Sequence, residues 1–373
     1  MQGLITPTQY RCADHLKKEY DTVFRHCWNF VGLKLELANG KHLGVLVAGT
    51  EVIIQLDKNG NPRAYRNVCS HRHAKLCEHG SHDGPVRCPY HSWLYNEDGV
   101  PVGIPQPQAF PDVVANPEAY KLEEFSCESA GQFIFVRLSK EGSSLKVYLN
   151  GEYDFLCKAS QGMSHIHHEF RSDVDANWKV VIENSLEGYH VPAVHNKTFM
   201  KVDGMQRGYD APVDHLEHPL HSSITHPAEP GWLASFEKRT APKLGVWDWY
   251  FPHYTHHLIF PNLTITSFLG YSYHIQRFEP TAAGLTTVHS RAVGMRFEQQ
   301  SPLGEKTIVQ IYADSKAFTD SVFAEDGTVC KTVQQGLNSA VNPAVIGLGI
   351  ESRVAHFHQA YTSMIAATSE MKE

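Results

Sequence analysis

The chain has 373 residues, 42% hydrophobic and 20% charged, an ordinary globular composition in more length than one domain usually takes. A formal net charge of −7 without any Lys/Arg-rich run argues against nucleic acid as a partner. No apolar run approaches membrane-spanning length and residues 1–20 lack the core of a signal peptide, so no membrane partner and a cytoplasmic location are expected.

Residues 14–28 place Leu16, Tyr20, Val23, Phe24 and Cys27 at helical spacing, which predicts an amphipathic helix. Short alternating runs follow at 30–37, 41–46, 51–56, 62–67 and 133–138. Turn signals at Asn39-Gly40, Gly49-Thr50 and Asn59-Gly60-Asn61 separate the first four of these runs. They predict a small antiparallel β domain over 30–140, with the proline-rich stretch 101–117 as an irregular connection. Beyond it, 175–190 reads as helix, 260–277 and 285–297 as strands, and two helical patterns close the chain. The last carries Ile350, Val354, Phe357, Tyr361 and Ile365 on one face. The expected organisation is α+β: a helical segment 1–29 packing on the second domain, an all-β domain 30–140, and a domain 141–373 with an antiparallel sheet flanked by helices.

Two clusters carry chemistry. Cys69-Ser70-His71 and Cys88-Pro89-Tyr90-His91 each offer one thiolate and one imidazole. A 2Fe–2S cluster of the Rieske kind takes two Cys on one iron and two His on the other. Tetrahedral zinc also accepts Cys2His2, but its sites usually pair C-x-x-C with H-x(3–5)-H, and here each half is mixed. The other six cysteines lack framework spacing and read as buried thiols.

Downstream, Glu187 and His190 are three apart and so neighbours on one helical face. His195 lies about 140° further round an ideal helix, and Pro192 is expected to break the helix and turn His195 back. Two imidazoles near a carboxylate begin a 2-His-1-carboxylate site for Fe(II). In the helical pattern 314–336 the apolar stripe is Phe318, Val322, Val329 and Val333, with Asp326 inside it and Glu325 at its edge. A carboxylate among core residues costs several kcal/mol unless a cation or donor meets it, so Asp326 is the first choice for the third ligand and Glu325 the second. The histidines at 165, 167 and 168 and at 253, 256 and 257 lack a matching carboxylate or thiol and read as hydrogen-bonded or solvated. Among Trp247, Trp249, Tyr250, Phe251 and Tyr254, some are expected to line a substrate pocket and most to be core. No flavin or nicotinamide site is evident.

The two Cys/His loops, the second of them CPYHSW followed by NEDG, and Asn177-Trp178-Lys179…Glu183-Asn184…Glu187-x-x-His190-x(4)-His195 resemble the Rieske-type non-haem iron oxygenases, as their oxygenase (alpha) subunit. The resemblance implies a Rieske cluster on Cys69, His71, Cys88 and His91, and a mononuclear Fe(II) on His190, His195 and Asp326. It implies that Glu187 bridges the two centres, accepting a hydrogen bond from His190 and reaching His91 of a neighbouring subunit. It further implies a homotrimer or hexamer and O2 as co-substrate. Electrons would come from NAD(P)H through a separate reductase, with or without a ferredoxin, to oxidise a small organic substrate. Two residues depart from the pattern: Ser92 where Gly is more common, and Glu187 where many ring-dihydroxylating members have Asp. The second leans toward hydroxylation or oxidative dealkylation, with ring cis-dihydroxylation as the alternative. From other classes, the rivals are an electron carrier or redox sensor using the cluster alone, and a zinc-stabilised binding module.

Overall fold

The alternating runs between residues 29 and 137 pair into one antiparallel sheet in the computed structural model, which describes residues 2–201, 214–245 and 250–370. Its strands are β1 (Asn29–Leu33), β2 (His42–Val47), β3 (Thr50–Leu56), β4 (Pro62–Arg66), β5 (Gly80–His82), β8 (Glu124–Ala130) and β9 (Phe133–Arg137). A small hairpin of β6 (Leu94–Tyr95) and β7 (Pro101–Gly103) lies between them in sequence. The strand order is β1-β9-β8-β4-β3-β2-β5. In β9 all five residues are buried, and each of its large apolar side chains contributes roughly 1.5–3 kcal/mol. The expected extension of β1 to residue 37 is replaced by a 3-10 turn, because Glu36 Oε2 accepts from Leu33 N (2.7 Å) and Asn39 turns left-handed (φ 63°).

The chain divides into Phe24–Ser160 and a second unit made of Met1–Val23 with Gln161–Glu373. The division falls at 160 and not at the expected 140. Residues 145–160 form two short helices held to the β unit: Leu145 N donates to Glu128 Oε2 (3.2 Å) and Gln132 N to Ser160 Oγ (2.8 Å).

The second unit has a seven-stranded antiparallel sheet in the order β10-β16-β15-β14-β13-β12-β11. These are β10 (Met163–Val174), β11 (Asp214–Glu217), β12 (Ser222–Pro227), β13 (His253–Ile259), β14 (Leu263–Phe268), β15 (Ser272–Ala282) and β16 (Leu285–Met295). The single strand expected over 260–277 is a hairpin, since Leu269 and Gly270 both take positive φ (56° and 72°). Helices Trp178–Ser185, Pro302–Leu337 and Ser352–Glu370 accompany the sheet. Of the expected last stripe, Val354, Phe357 and Tyr361 are buried, whereas Ile350 precedes the helix and is exposed.

The expected helix over 14–28 is present as Ala13–Glu19 continued by a π turn at Tyr20–Phe24, four residues shorter than expected, and a separate short helix, Pro7–Arg11, precedes it across extended Cys12 (ψ 122°). This segment is tied into the second unit through Glu19, which is fully buried. Trp178 Nε1 (2.8 Å), Lys179 Nζ (2.5 Å) and Tyr361 OH (2.6 Å) all donate to its carboxylate. Among the described residues no helix is long and apolar enough to cross a membrane.

Candidate metal centres and the cavity beside them

The two loops of the β unit are built alike. In each, the cysteine carbonyl accepts from the N–H four residues on, His73 and Ser92 (3.0 Å each), and that residue is left-handed (φ 60° and 59°). A left-handed non-glycine costs about 1–2 kcal/mol, which explains why resembling sequences prefer Gly where this chain has Ser92. Cys69 and Cys88 are buried free thiols, and the rings of His71 and His91 lie 4.6 Å apart. Trp93 stacks on His71 at 4.9 Å. Nδ1 of His71 and Nδ1 of His91 are both buried without a hydrogen-bond partner. Such atoms are costly unless something takes their lone pairs. Two thiols beside two orphaned imidazole nitrogens are the donor set of a Rieske cluster, so the residues fit that group. Tyr95 OH lies 3.1 Å from Cys69 Sγ, a contact of the kind that tunes cluster potential.

In the second unit His190, His195 and Asp326 bring one ligand atom each within 4.8 Å of one another. Helix Trp178–Ser185 ends before Glu187, so the expected shared helical face is corrected: residues 186–190 form a turn. Glu187 still caps His190, accepting from its backbone N–H (3.1 Å) and from Nδ1 (2.5 Å). Pro192 opens a new short helix, Val191–Val194, whose C-cap is His195, and so does not end an old one. Helix Pro302–Leu337 brings two successive acids to the two sides of His195. Asp326 Oδ1 is 3.0 Å from His195 Nε2 and 3.5 Å from His190 Nε2. Glu325 Oε2 accepts from His195 Nδ1 and from Thr198 Oγ1, both at 2.7 Å. Asn184 Nδ2 donates to Asp326 Oδ1 (3.3 Å).

Each imidazole therefore has a carboxylate on Nδ1 and turns Nε2 toward Asp326. Burial works against a charge on His190, yet Asp326 and Glu187 outweigh it and raise its pKa to about 9. Burial likewise opposes the charge on Asp326, and hydrogen bonds from His190 and His195 still hold its pKa below the usual carboxylate value. A site this rich in negative charge calls for a cation, and two imidazoles plus one carboxylate suit Fe(II).

A cavity of about 730 Å³ opens beside these residues. One wall is the helix Pro302–Leu337, with Phe318, Val322 and Asp314; the other is the sheet, where Ile224, His256, Thr266, His274 and Ala292 form one cross-strand row. The expected apolar stripe is corrected at Val333, which is 45% exposed, while Ile308, Tyr312, Cys330 and Gln334 face inward. Of the aromatic candidates, Tyr254 lines the cavity, Tyr250 packs on the cluster of Phe236, Leu244 and Leu269 with its hydroxyl on Glu237, and Phe251 stacks on His253. Trp247 and Trp249 lie outside the described residues. His167 bonds Ser272 and His168 bonds Asp320. Sequence reasoning missed the polar cavity row and the role of Glu325. The signal for the row lay in β15, where Ser272, His274 and Gln276 alternate with Tyr273 and Ile275.

Residues 163–367 match the ring hydroxylating alpha subunit (catalytic domain) and residues 27–122 match the Rieske [2Fe-2S] domain. The chain belongs to the family of ring-hydroxylating alpha subunits, whose cofactors are a Rieske cluster and a mononuclear iron. It is 32% identical over 181 residues to the oxygenase subunit of glycine betaine monooxygenase from Chromohalobacter salexigens, covering 48% of this chain and 40% of that protein. To the chloroplastic choline monooxygenase of Atriplex hortensis it is 24% identical over 358 residues, 91% of this chain and 73% of that one. Its fold is that of a quaternary ammonium Rieske monooxygenase solved with L-carnitine (TM-score 0.76, 19% identity, 97% and 95% of the two chains). Naphthalene 1,2-dioxygenase from Rhodococcus sp. has the same fold (TM-score 0.76, 17% identity, 97% and 94%).

Proposed function

We propose that this chain is the terminal oxygenase component of a multi-protein system and hydroxylates or oxidatively dealkylates a small organic substrate. Cys69, His71, Cys88 and His91 hold the Rieske cluster, and His190, His195 and Asp326 hold the mononuclear iron. The observation that carries this reading is the triad His190, His195 and Asp326 on the wall of a cavity of about 730 Å³, in a chain that also has the two orphaned histidine nitrogens. When bound, the metals supply electron transfer and O2 activation, with electrons delivered from NAD(P)H by a separate reductase. The relatives named for betaine, choline and carnitine oxidation support monooxygenation over ring dihydroxylation.

The chain's own residues do the positioning. Glu187 and Glu325 fix both rings with the hydrogen on Nδ1, which leaves each Nε2 lone pair for the metal and makes it more basic. Asn184 orients Asp326. The aromatic side chains of the cavity exclude water and hold the carbon skeleton of the substrate. Assembly is proposed to be a trimer or a ring of trimers, with Glu187 reaching His91 of the next subunit.

A visible spectrum with iron quantification tests the reading. A brown protein with about three irons per chain is expected, two in the cluster and one mononuclear. A colourless zinc protein would sink it, and a brown protein with only two irons would leave an electron carrier.

Glu187→Gln is expected to keep the spectrum, both kinds of iron and the oligomer, and to slow turnover by about 10–100-fold. In a single turnover the pre-reduced cluster should reoxidise slowly once substrate and O2 are added. Reoxidation at the wild-type rate would remove Glu187 from the electron path.

Glu325→Gln should act on the other ring. Mononuclear iron is expected to leave about 10–100-fold more readily to a competing chelator, with the cluster spectrum unchanged. Thr198→Val, which removes only the second donor to Glu325, should have a much smaller effect. Equal retention of iron by wild type and Glu325→Gln would reduce Glu325 to a surface acid.

A further inference from the structure

Within the His253-x-x-His256-His257 group, alternation along β13 sends neighbours to opposite faces. His257 Nε2 meets Thr255 Oγ1 (2.8 Å), while His256 lines the cavity and is only 6% exposed. Behind it sits Arg353, 3% exposed, at the start of the helix Ser352–Glu370. Its Nη1 and Nη2 both lie 3.1 Å from His256 Nδ1, Nε donates to Ser222 Oγ (3.1 Å), and Nη2 donates to the Ser222 carbonyl (3.1 Å). A guanidinium can only donate, so Nδ1 is the acceptor and the ring hydrogen is on Nε2. Burial, reinforced by the charge of Arg353, pushes the pKa of His256 well down, so the ring is neutral and this tautomer is fixed. Among the described residues the hydrogen bonds of the His256 ring are all at Nδ1, so Nε2–H is left for the cavity that the ring lines.

We infer that His256 Nε2–H, with the Arg353 guanidinium behind it, binds a carboxylate group of the substrate. The inference rests on the oxygenase reading above for the claim that this cavity takes the substrate. A donor polarised by a cation across its own ring is strongest toward an anion. The charge distribution of the cavity agrees: Asp314 and Asp326 occupy the helix wall, so an anionic end group is driven to the sheet wall. That orientation leaves the carbon end of the substrate toward His190, His195 and Asp326. Tyr254, two residues before His256, pairs across the sheet with Phe268, and Trp232 lies 5.3 Å from Phe268, giving the carbon skeleton an aromatic wall. A plain hydrocarbon would instead leave Nε2–H unpaired in a dry cavity, at a cost of about 1–3 kcal/mol.

The test is a binding measurement that needs no turnover, on protein whose cluster spectrum and mononuclear iron have been verified. N,N-dimethylglycine, phenylacetate, 3-phenylpropionate and 4-methoxybenzoate are each compared with the corresponding primary amide by equilibrium dialysis and melting temperature. At least one acid is expected to bind about tenfold or more tightly than its amide, the range of a charge-assisted hydrogen bond. His256→Phe, which keeps a planar ring and loses the donor, should bring acid and amide within about twofold. His256→Gln, which returns a donor near the same position, should restore part of the preference. Acids and amides that bind alike, no acid that binds, or an acid preference that survives His256→Phe with cluster and iron intact would each overturn the inference. Absence of cluster or mononuclear iron from the wild type would instead overturn the oxygenase reading.

Discussion

Asp326→Ala should strip the mononuclear iron and leave the brown colour of the cluster untouched. The substitution removes the one carboxylate that faces Nε2 of both His190 and His195, at 3.5 and 3.0 Å. Two neutral imidazoles then remain, without the negative charge that draws a divalent cation into a half-buried site. Changes to groups that only orient a ligand cost about 10–100-fold in metal affinity or activity, so loss of a ligand should exceed about 100-fold in turnover. Iron content falling from about three per chain to about two is the direct readout. The fold should tolerate the change, because Asp326 is 27% exposed and its removal leaves no charge stranded in the core. The companion variant Glu325→Ala decides the assignment. Loss of iron and turnover there, with both retained in Asp326→Ala, would exchange the roles of the two acids.

The local chemistry of this protein was more legible in its sequence than its backbone path. The four residues of the two loops stand out because Cys and His at such spacing have few structural reasons to coexist, and the fold brings Cys69 beside Cys88 and His71 beside His91. Asp326 stands out for a similar reason, as an acid on the inward face of a helix. Its neighbour Glu325 shows why spacing alone falls short: one residue further back on the helix it reaches the opposite nitrogen of the same imidazole. Which of two adjacent acids faces Nε2 depends on the rotation of the helix Pro302–Leu337, and the expected stripe was itself rotated, since Val333 faces solvent. The strand β10 escaped because bulges at Met163/His165 and Ile166/His168 break the period of two that marks a strand. His256 escaped for a different reason. A histidine within a strand looks like packing until a second segment, nearly a hundred residues downstream, places Arg353 on its Nδ1.

Glu19→Ala should destabilise the second unit by about 3–5 kcal/mol. Glu19 and Lys179 are both fully buried, with Lys179 Nζ 2.5 Å from Glu19 Oε1. Burial pushes the pKa of Lys179 down, and Glu19 is the first of the groups that oppose the shift. The rings of Tyr10, Trp178 and Tyr361 stand 5.1–5.3 Å from the ammonium, and Gln9 O accepts from it at 2.9 Å, but none of these carries a full negative charge. Truncating Glu19 therefore strands a buried cation and also frees the donors of Trp178 and Tyr361. At about 2–4 °C per kcal/mol for a unit of this size, the melting temperature should fall by roughly 6–20 °C. The damage should spread in a definite direction. Lys179 is on the helix that carries Asn184 and leads into Glu187, so mononuclear iron should be lost on warming before the cluster absorbance of the separate β unit changes. Lys179→Met added to Glu19→Ala should recover part of the stability, since a buried pair replaced by apolar groups costs far less than a pair broken on one side. A melting temperature within about 2 °C of wild type in Glu19→Ala, or cluster and iron lost together, would show that Glu19 is not what ties the amino-terminal segment to the helix Trp178–Ser185.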